Sequence, residues 1–126
     1  MTDITPLVPE GRQLIQSYGQ GRFRIAGAVY DGSVLVLPER TLPLAADEMA
    51  ALSLDMLAPL WAAGVAVDVL LMGTGLTAAW PAADLRAGLR DKGIVAEPMS
   101  TAAACRTYNV LLAEDRRVAA ALFAVP

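Results

Sequence analysis

The chain contains no histidine and only one cysteine, Cys105. Without histidine there is no Ser-His-Asp or Cys-His triad, no HExxH metalloprotease helix and no His-based zinc site. With a single thiol there is neither an internal disulfide nor a thiolate cluster, and such cysteine usage fits a reducing compartment. Positive charge is also scarce. The net charge is −3, and the basic residues are scattered as Arg22/Arg24, Arg86/Arg90 and Arg116/Arg117, never in a run. That leaves no electrostatic footprint for nucleic acid or an anionic membrane. No apolar stretch approaches the ~20 residues that span a bilayer; Asp68 interrupts one candidate and Ala119–Val125 is too short. The first residues lack a basic segment followed by an apolar one and carry Asp3 and Glu10, so neither secretion nor mitochondrial import is expected. The cytoplasm is the expected location.

What is present is a chain of 126 residues that is 56% apolar, much of it alanine. One tightly packed domain over residues 1–126 is expected, with 1–12 as an irregular lead-in marked by Pro6 and Pro9. Leu14–Tyr18 predicts a strand stopped by Gly19-Gln20-Gly21, and Arg22-Phe23-Arg24-Ile25 alternates as a strand with one wet face. Asp31-Gly32, between Ala28–Tyr30 and Ser33–Leu37, predicts a hairpin with a type I′ turn. Met49, Leu52, Met56, Leu57, Leu60 and Trp61 share one face at helical spacing, with Ser53 as an alternative cap and Pro59 as a kink or a sign of a late start.

Val67–Met72 reads as a buried central parallel strand that ends in glycines, at the sheet edge where α/β domains place their clefts. A helix follows from Pro81 to Gly93, then a short strand Ile94–Glu97 stopped by Pro98. A third helix is capped by Ser100 or Thr101 and buries Ala104, Cys105, Tyr108, Leu111 and Leu112. The tail Arg117–Val125 fits either a helix or a buried strand. This order implies an α/β domain with a mixed sheet flanked by helices.

Gly73-Thr74-Gly75-Leu76-Thr77-Ala78 matches a loose GxGxxA dinucleotide fingerprint, and Glu97 falls near the position of a ribose-binding acid. Pro81 stands where that fingerprint needs an established helix, so a structural turn is the preferred reading. A narrower possibility is kept. If the two strands are parallel neighbours, Gly73, Thr74 and Gly75 face the helix start at Ser100 and Thr101, with Arg106 within reach of a bound anion. Against this, Ser100 and Thr101 serve as ordinary caps and Arg106 pairs with a surface carboxylate. Arg106 and Asn109 project from one helical face as anchors for the Thr74 loop or as a polar pocket. Cys105 has no base to activate it and reads as a small buried group. Tyr18, Phe23 and Tyr30 read as cross-strand packing, and Asp47-Glu48 and Glu114–Arg117 as charged surface.

Leu71-Met72-Gly73-Thr74-Gly75 followed by Met99–Leu111, then Glu114 and Arg117-Val118, resembles a family of small domains that includes mitochondrial complex I assembly factor 3 and an adipogenesis-associated human protein. Tyr18-Gly19, Phe23-Arg24-Ile25 and Ser33–Pro38 extend the resemblance over nearly the whole chain. It implies a three-layer α/β domain with a mixed central sheet flanked by helices and an N-terminal β-hairpin region, and it tips the tail towards a strand. The matching positions are Gly73, Thr74, Gly75, Arg106, Thr107, Tyr108 and Asn109, with no roles assigned. The chain looks like a bacterial member. No catalytic constellation, metal site or cofactor is expected. The leading expectation is a non-enzymatic interaction or assembly protein with a protein partner on the sheet edge or the hairpin. The alternative is a small-ligand or anion-binding domain, with enzymatic activity left open, that uses Gly73, Thr74, Gly75, Ser100, Thr101, Arg106 and Asn109.

Overall fold

A computed structural model describes residues 2–4, 11–62 and 64–126. Its N-terminal sheet is built by two two-residue turns. β2 (Ile15–Gly19) turns into β3 (Arg22–Ile25) at Gln20-Gly21, and β3 turns into β4 (Ala28–Asp31) at Ala26-Gly27. In both turns each residue has positive φ, 55° and 73° in the first and 49° and 84° in the second. That is type I′ backbone, whose twist matches that of the flanking strands. The glycine supplies the freedom, while Gln20 and Ala26 accept a left-handed conformation that costs roughly 1–2 kcal/mol. A short β1 (Thr2–Asp3) pairs with β2, so the sheet runs in chain order, all antiparallel. The irregular lead-in therefore contains a strand; Pro6 and Pro9 lie outside the described residues.

The hairpin expected at Asp31-Gly32 does not form. Only Gly32 there has positive φ (81°), and β4 pairs with β3, whereas β5 (Val34–Val36) leaves for the second sheet. The cause is burial. All three β5 residues are buried, which suits an interior strand, while β4 is largely exposed and has no second apolar face to offer it.

The second sheet adds β6 (Thr41–Pro43), β7 (Val69–Gly73), β8 (Val95–Met99) and β9 (Val118–Leu122) in the order β6-β5-β9-β7-β8. β7 is parallel to both neighbours and β5 is antiparallel to β6 and β9, so the sheet is mixed. The tail is a strand and takes the middle place; β7 lies one strand from the edge. Residues of β7 and β9 alternate between two cores. Leu70, Met72, Ala119 and Ala121 point to one, and Leu71, Val118, Ala120 and Leu122 to the other. A strand buried on both faces needs an unbroken apolar sequence, which explains the runs Val69–Met72 and Val118–Leu122. β8 continues through Pro98 to Met99, two residues past the expected stop. As the outer strand it pairs on one side only, and a proline is tolerated there.

One face of this sheet is covered by α1 (Ala83–Asp91) and by two 3₁₀ segments, Met49–Ala51 and Leu54–Trp61. The segment around Pro59 is neither the kinked nor the late-starting α-helix that its spacing predicts. It is wound as 3₁₀ throughout, with Leu57 and Leu60 buried three apart, and Ser53 makes no side-chain cap. The other face carries α2 (Thr101–Ala113) together with the N-terminal sheet, whose Ile15, Tyr18, Phe23 and Ile25 share one core with Ala104, Cys105, Tyr108 and Leu112. The three layers and the added hairpin region are thus present. Leu111 is only partly buried, and Asn109 and Thr101 take buried places instead.

Candidate functional site

The parallel pairing of β7 with β8 brings their C-terminal ends side by side, Gly73 opposite Met99, directly below the start of α2. The glycine turn and the helix start therefore share one rim. Thr101 N–H donates to the Gly75 carbonyl (2.8 Å), and Gly75 N–H donates to Thr101 Oγ1 (3.0 Å). The same hydroxyl donates to the Phe123 carbonyl (2.8 Å), while Phe123 N–H bonds the Gly73 carbonyl (2.8 Å). Thr74 N–H bonds Met99 (2.8 Å), and Thr74 Oγ1 accepts from Ala79 N–H (2.8 Å) and lies 2.7 Å from the Thr77 carbonyl. Ser100 caps α2 by accepting from Ala103 N–H (3.2 Å). The ends of β7, β8, β9 and α2 are thus tied through two threonine hydroxyls.

Gly73 is needed at that junction because there is no room for more. A Cβ placed on it meets Leu122 Cδ2 at 2.9 Å, the Thr101 backbone at 3.0 Å and Ala104 Cβ at 3.1 Å. Gly75 is needed for a different reason, its φ of +102° with open space around it.

Arg106 and Asn109 stand apart from this rim. Arg106 is exposed and donates to the Tyr18 hydroxyl (3.2 Å), so among the described residues it pairs with a phenol of the N-terminal sheet and not with a carboxylate. Asn109 is buried and turned to β2: Oδ1 accepts from Ile15 N–H (3.0 Å) and Nδ2 donates to the Ile15 carbonyl (2.7 Å). The rim thus unites Gly73, Thr74, Gly75, Ser100 and Thr101, while Arg106 and Asn109 join α2 to the hairpin region. Cys105 is fully buried, and burial pushes its thiol from 9.0 up to about 12, with nearby Arg106 opposing weakly. Such a thiol stays protonated and is no nucleophile at neutral pH. Burial likewise drives the Tyr108 phenol upward against the opposing charge of Arg12. Among the described residues no group of three or more acidic or cysteine side chains can hold a metal, and no helix is long and apolar enough to cross a membrane.

The exposed apolar residues above the rim were not foreseen. Leu76 and Trp80, on the connection from β7 to α1, are 76% and 72% exposed. The Arg86 guanidinium lies over the Trp80 ring, 5.2 Å from its centre, and Val95 on the open edge of β8 is also exposed. The signal was available: two large apolar side chains in a segment already marked as irregular by Gly73, Gly75 and Pro81.

The chain belongs to the family described as "Protein of unknown function (DUF498/DUF598)", which it matches over residues 15–123. It is 46% identical over 112 residues to an uncharacterized protein of Rhodobacter capsulatus, spanning 89% of this chain and 85% of that one. It is more distantly similar to NADH dehydrogenase (ubiquinone) 1 alpha subcomplex assembly factor 3 of Danio rerio, at 32% over 113 residues, or 90% of this chain and 65% of the fish protein. Among solved structures it is similar to a Bartonella henselae protein described as an outer membrane protein (TM-score 0.82, 40% identity, 92% of this chain and 98% of that one). A Bordetella parapertussis crystal structure is similar as well (TM-score 0.79, 31% identity, 92% and 99% covered).

Proposed function

We propose that this member of the family is a protein-interaction domain of the assembly-factor kind, not a catalyst, and that its partner docks on the β7–α1 connection beside the open edge of β8. The observation that carries this reading is the pair Leu76 and Trp80, both more than 70% exposed on a short segment whose base is tied down. Thr74 Oγ1 holds that base through Ala79 N–H, and the rim bonds fix Gly75. A pre-positioned tryptophan flanked by arginine is the composition of an interface hot spot, because a rigid side chain loses little entropy on docking. The expected partner offers an apolar pocket for Trp80 and carboxylates for Arg86 and Arg90. A relative bearing an assembly factor's name lends this reading weight.

The test compares the parent chain with Leu76→Ser/Trp80→Ser in crosslinking pull-downs under conditions that preserve weak complexes. Loss of a reproducible partner in the double variant supports the proposal. Undiminished capture by the variant, or no partner above background with the parent, counts against it.

The same observations favour a structural latch over a ligand cradle at Gly73, Thr74 and Gly75, since the amide of Gly75 and the hydroxyl of Thr101 are bonded within the chain. A thermal-shift screen of nucleotides, phosphates and carboxylates decides between them. Stabilisation that vanishes in Thr74→Ala but persists in Arg106→Ala, which lies off the rim, would favour the small-ligand reading.

A further inference from the structure

At the other end of the mixed sheet from the glycine rim, before β7 and β9 begin and after β5 ends, lies a cleft of about 430 Å³. Arg12, Arg40, Arg116 and Arg117 all line it, four of the ten basic residues of a chain whose net charge is −3. Arg12 pairs with Asp115, and Arg117 Nε reaches Asp68 at 2.9 Å, whereas among the described residues no ion pair joins Arg40 or Arg116. Glu39 also lines the cleft, and the rest of its wall is apolar or small, with Leu37, Pro38 and Val65. Sequence reading could not group these arginines, because positions 12, 40 and 116 meet only once β2, β5 and β9 are in place.

With Arg12 and Arg117 paired and Glu39 alone facing Arg40 and Arg116, positive charge is still in excess, and a bound anion would relieve it. The planar guanidinium fork matches a carboxylate or phosphate, and the cleft is of the size that takes small ligands. We infer that this cleft binds a small organic anion, a carboxylate or phosphate monoester with a short apolar body, whose charged end is taken by Arg40 and Arg116 and whose body lies against Pro38 and Val65. The site is independent of the proposed docking surface, which lies at the opposite end of β7.

Titration of the ¹⁵N-labelled full chain with butyrate, phenyl phosphate and inorganic phosphate at constant ionic strength tests it. Saturable shifts of the amides around Leu37–Arg40 and Val65–Ala66 are expected, with phenyl phosphate tighter than inorganic phosphate. Arg40→Gln/Arg116→Gln should weaken binding roughly tenfold or more, as the loss of charge-assisted bonds implies. Arg116→Glu alone, at an exposed turn, should do the same, while Arg22→Gln/Arg24→Gln, exposed on β3, should leave affinity unchanged. The inference is overturned if no probe saturates, if the Arg40/Arg116 variants bind as the parent does, or if both double variants lose affinity equally. Equal affinity for inorganic and phenyl phosphate would mean an adventitious ion only, and also overturns it.

Discussion

Asn109, in the middle of α2, bonds both backbone groups of Ile15 on β2 at once, accepting at 3.0 Å and donating at 2.7 Å. Ile15 pairs with Ile25 of β3 just before the register slips between Ile15 and Ser17, and Asn109 supplies both of its backbone bonds there as a strand neighbour would. Ile15 is fully buried, and its amide and carbonyl have no water to turn to. Asn109→Leu should therefore destabilise the chain by ~2–4 kcal/mol, the cost of orphaning two buried backbone groups. Asn109→Asp should be at least as damaging, because it removes the donor and buries a charge without a partner. Urea unfolding of both variants checks this; a loss below ~1 kcal/mol would show that the bond is dispensable.

Gly73→Ala and Gly75→Ala should differ in kind. At Gly73 the new methyl meets Leu122, Thr101 backbone and Ala104 within 2.9–3.1 Å, so β7 or α2 must move, at ~1–3 kcal/mol. At Gly75 there is space, but φ of +102° strains an alanine, at ~1 kcal/mol or more. A second-site change Leu122→Ala should ease the first variant relative to simple addition and leave the second unaffected, which a double-mutant cycle in unfolding free energy reads directly.

These positions mark how far the sequence carried. β7 was legible because a strand covered on both faces has no choice but an apolar run, whereas the alanines of β9 suit a helix as well and only the family resemblance favoured a strand there. Thr101 beside Gly75 followed once β7 and β8 were taken as parallel. The Asp31-Gly32 turn was misread because a local turn signal cannot say which strand has a buried place waiting; β5 went where both its faces could be covered. The partners of Asn109 and the arginine-lined cleft were illegible for another reason. They depend on how α2 and the N-terminal sheet pack, and Ile15 and Asn109 are 94 residues apart.

Alkaline pH should unfold the protein through two buried acids. The Cys105 thiol ionises near its ordinary 9.0 when unfolded but keeps its proton until about 12 when folded, and Tyr108 is raised in the same sense. Above the ordinary values the unfolded chain therefore holds fewer protons than the folded one, and stability falls as pH rises. The thiol should cost ~1.4 kcal/mol per pH unit from about pH 9 upward, with the phenol adding its share above about pH 10. Cys105→Ala should flatten the first part of that decline and Tyr108→Phe the second, whatever their effect at neutral pH. Urea midpoints that stay constant up to about pH 10.5 in the parent chain would refute the assignment.

Leu76→Ser/Trp80→Ser should leave unfolding free energy within ~1 kcal/mol of the parent, because exposed side chains away from caps and networks contribute little. The only partner Trp80 has among the described residues is Arg86, through a solvent-facing cation–π contact 5.2 Å from the ring centre, which is worth ~0.5–1 kcal/mol at an exposed site. Leu122→Ala, by contrast, removes a fully buried side chain from the middle strand and should cost ~2–5 kcal/mol. The contrast separates two reasons for a large apolar residue to be where it is. Leu122 is held in place by what it does for the fold, and Trp80 contributes almost nothing to it. If thermal unfolding instead showed the two substitutions equally damaging, Trp80 would belong to the fold's own packing, and loss of a partner in the double variant would report only a damaged protein.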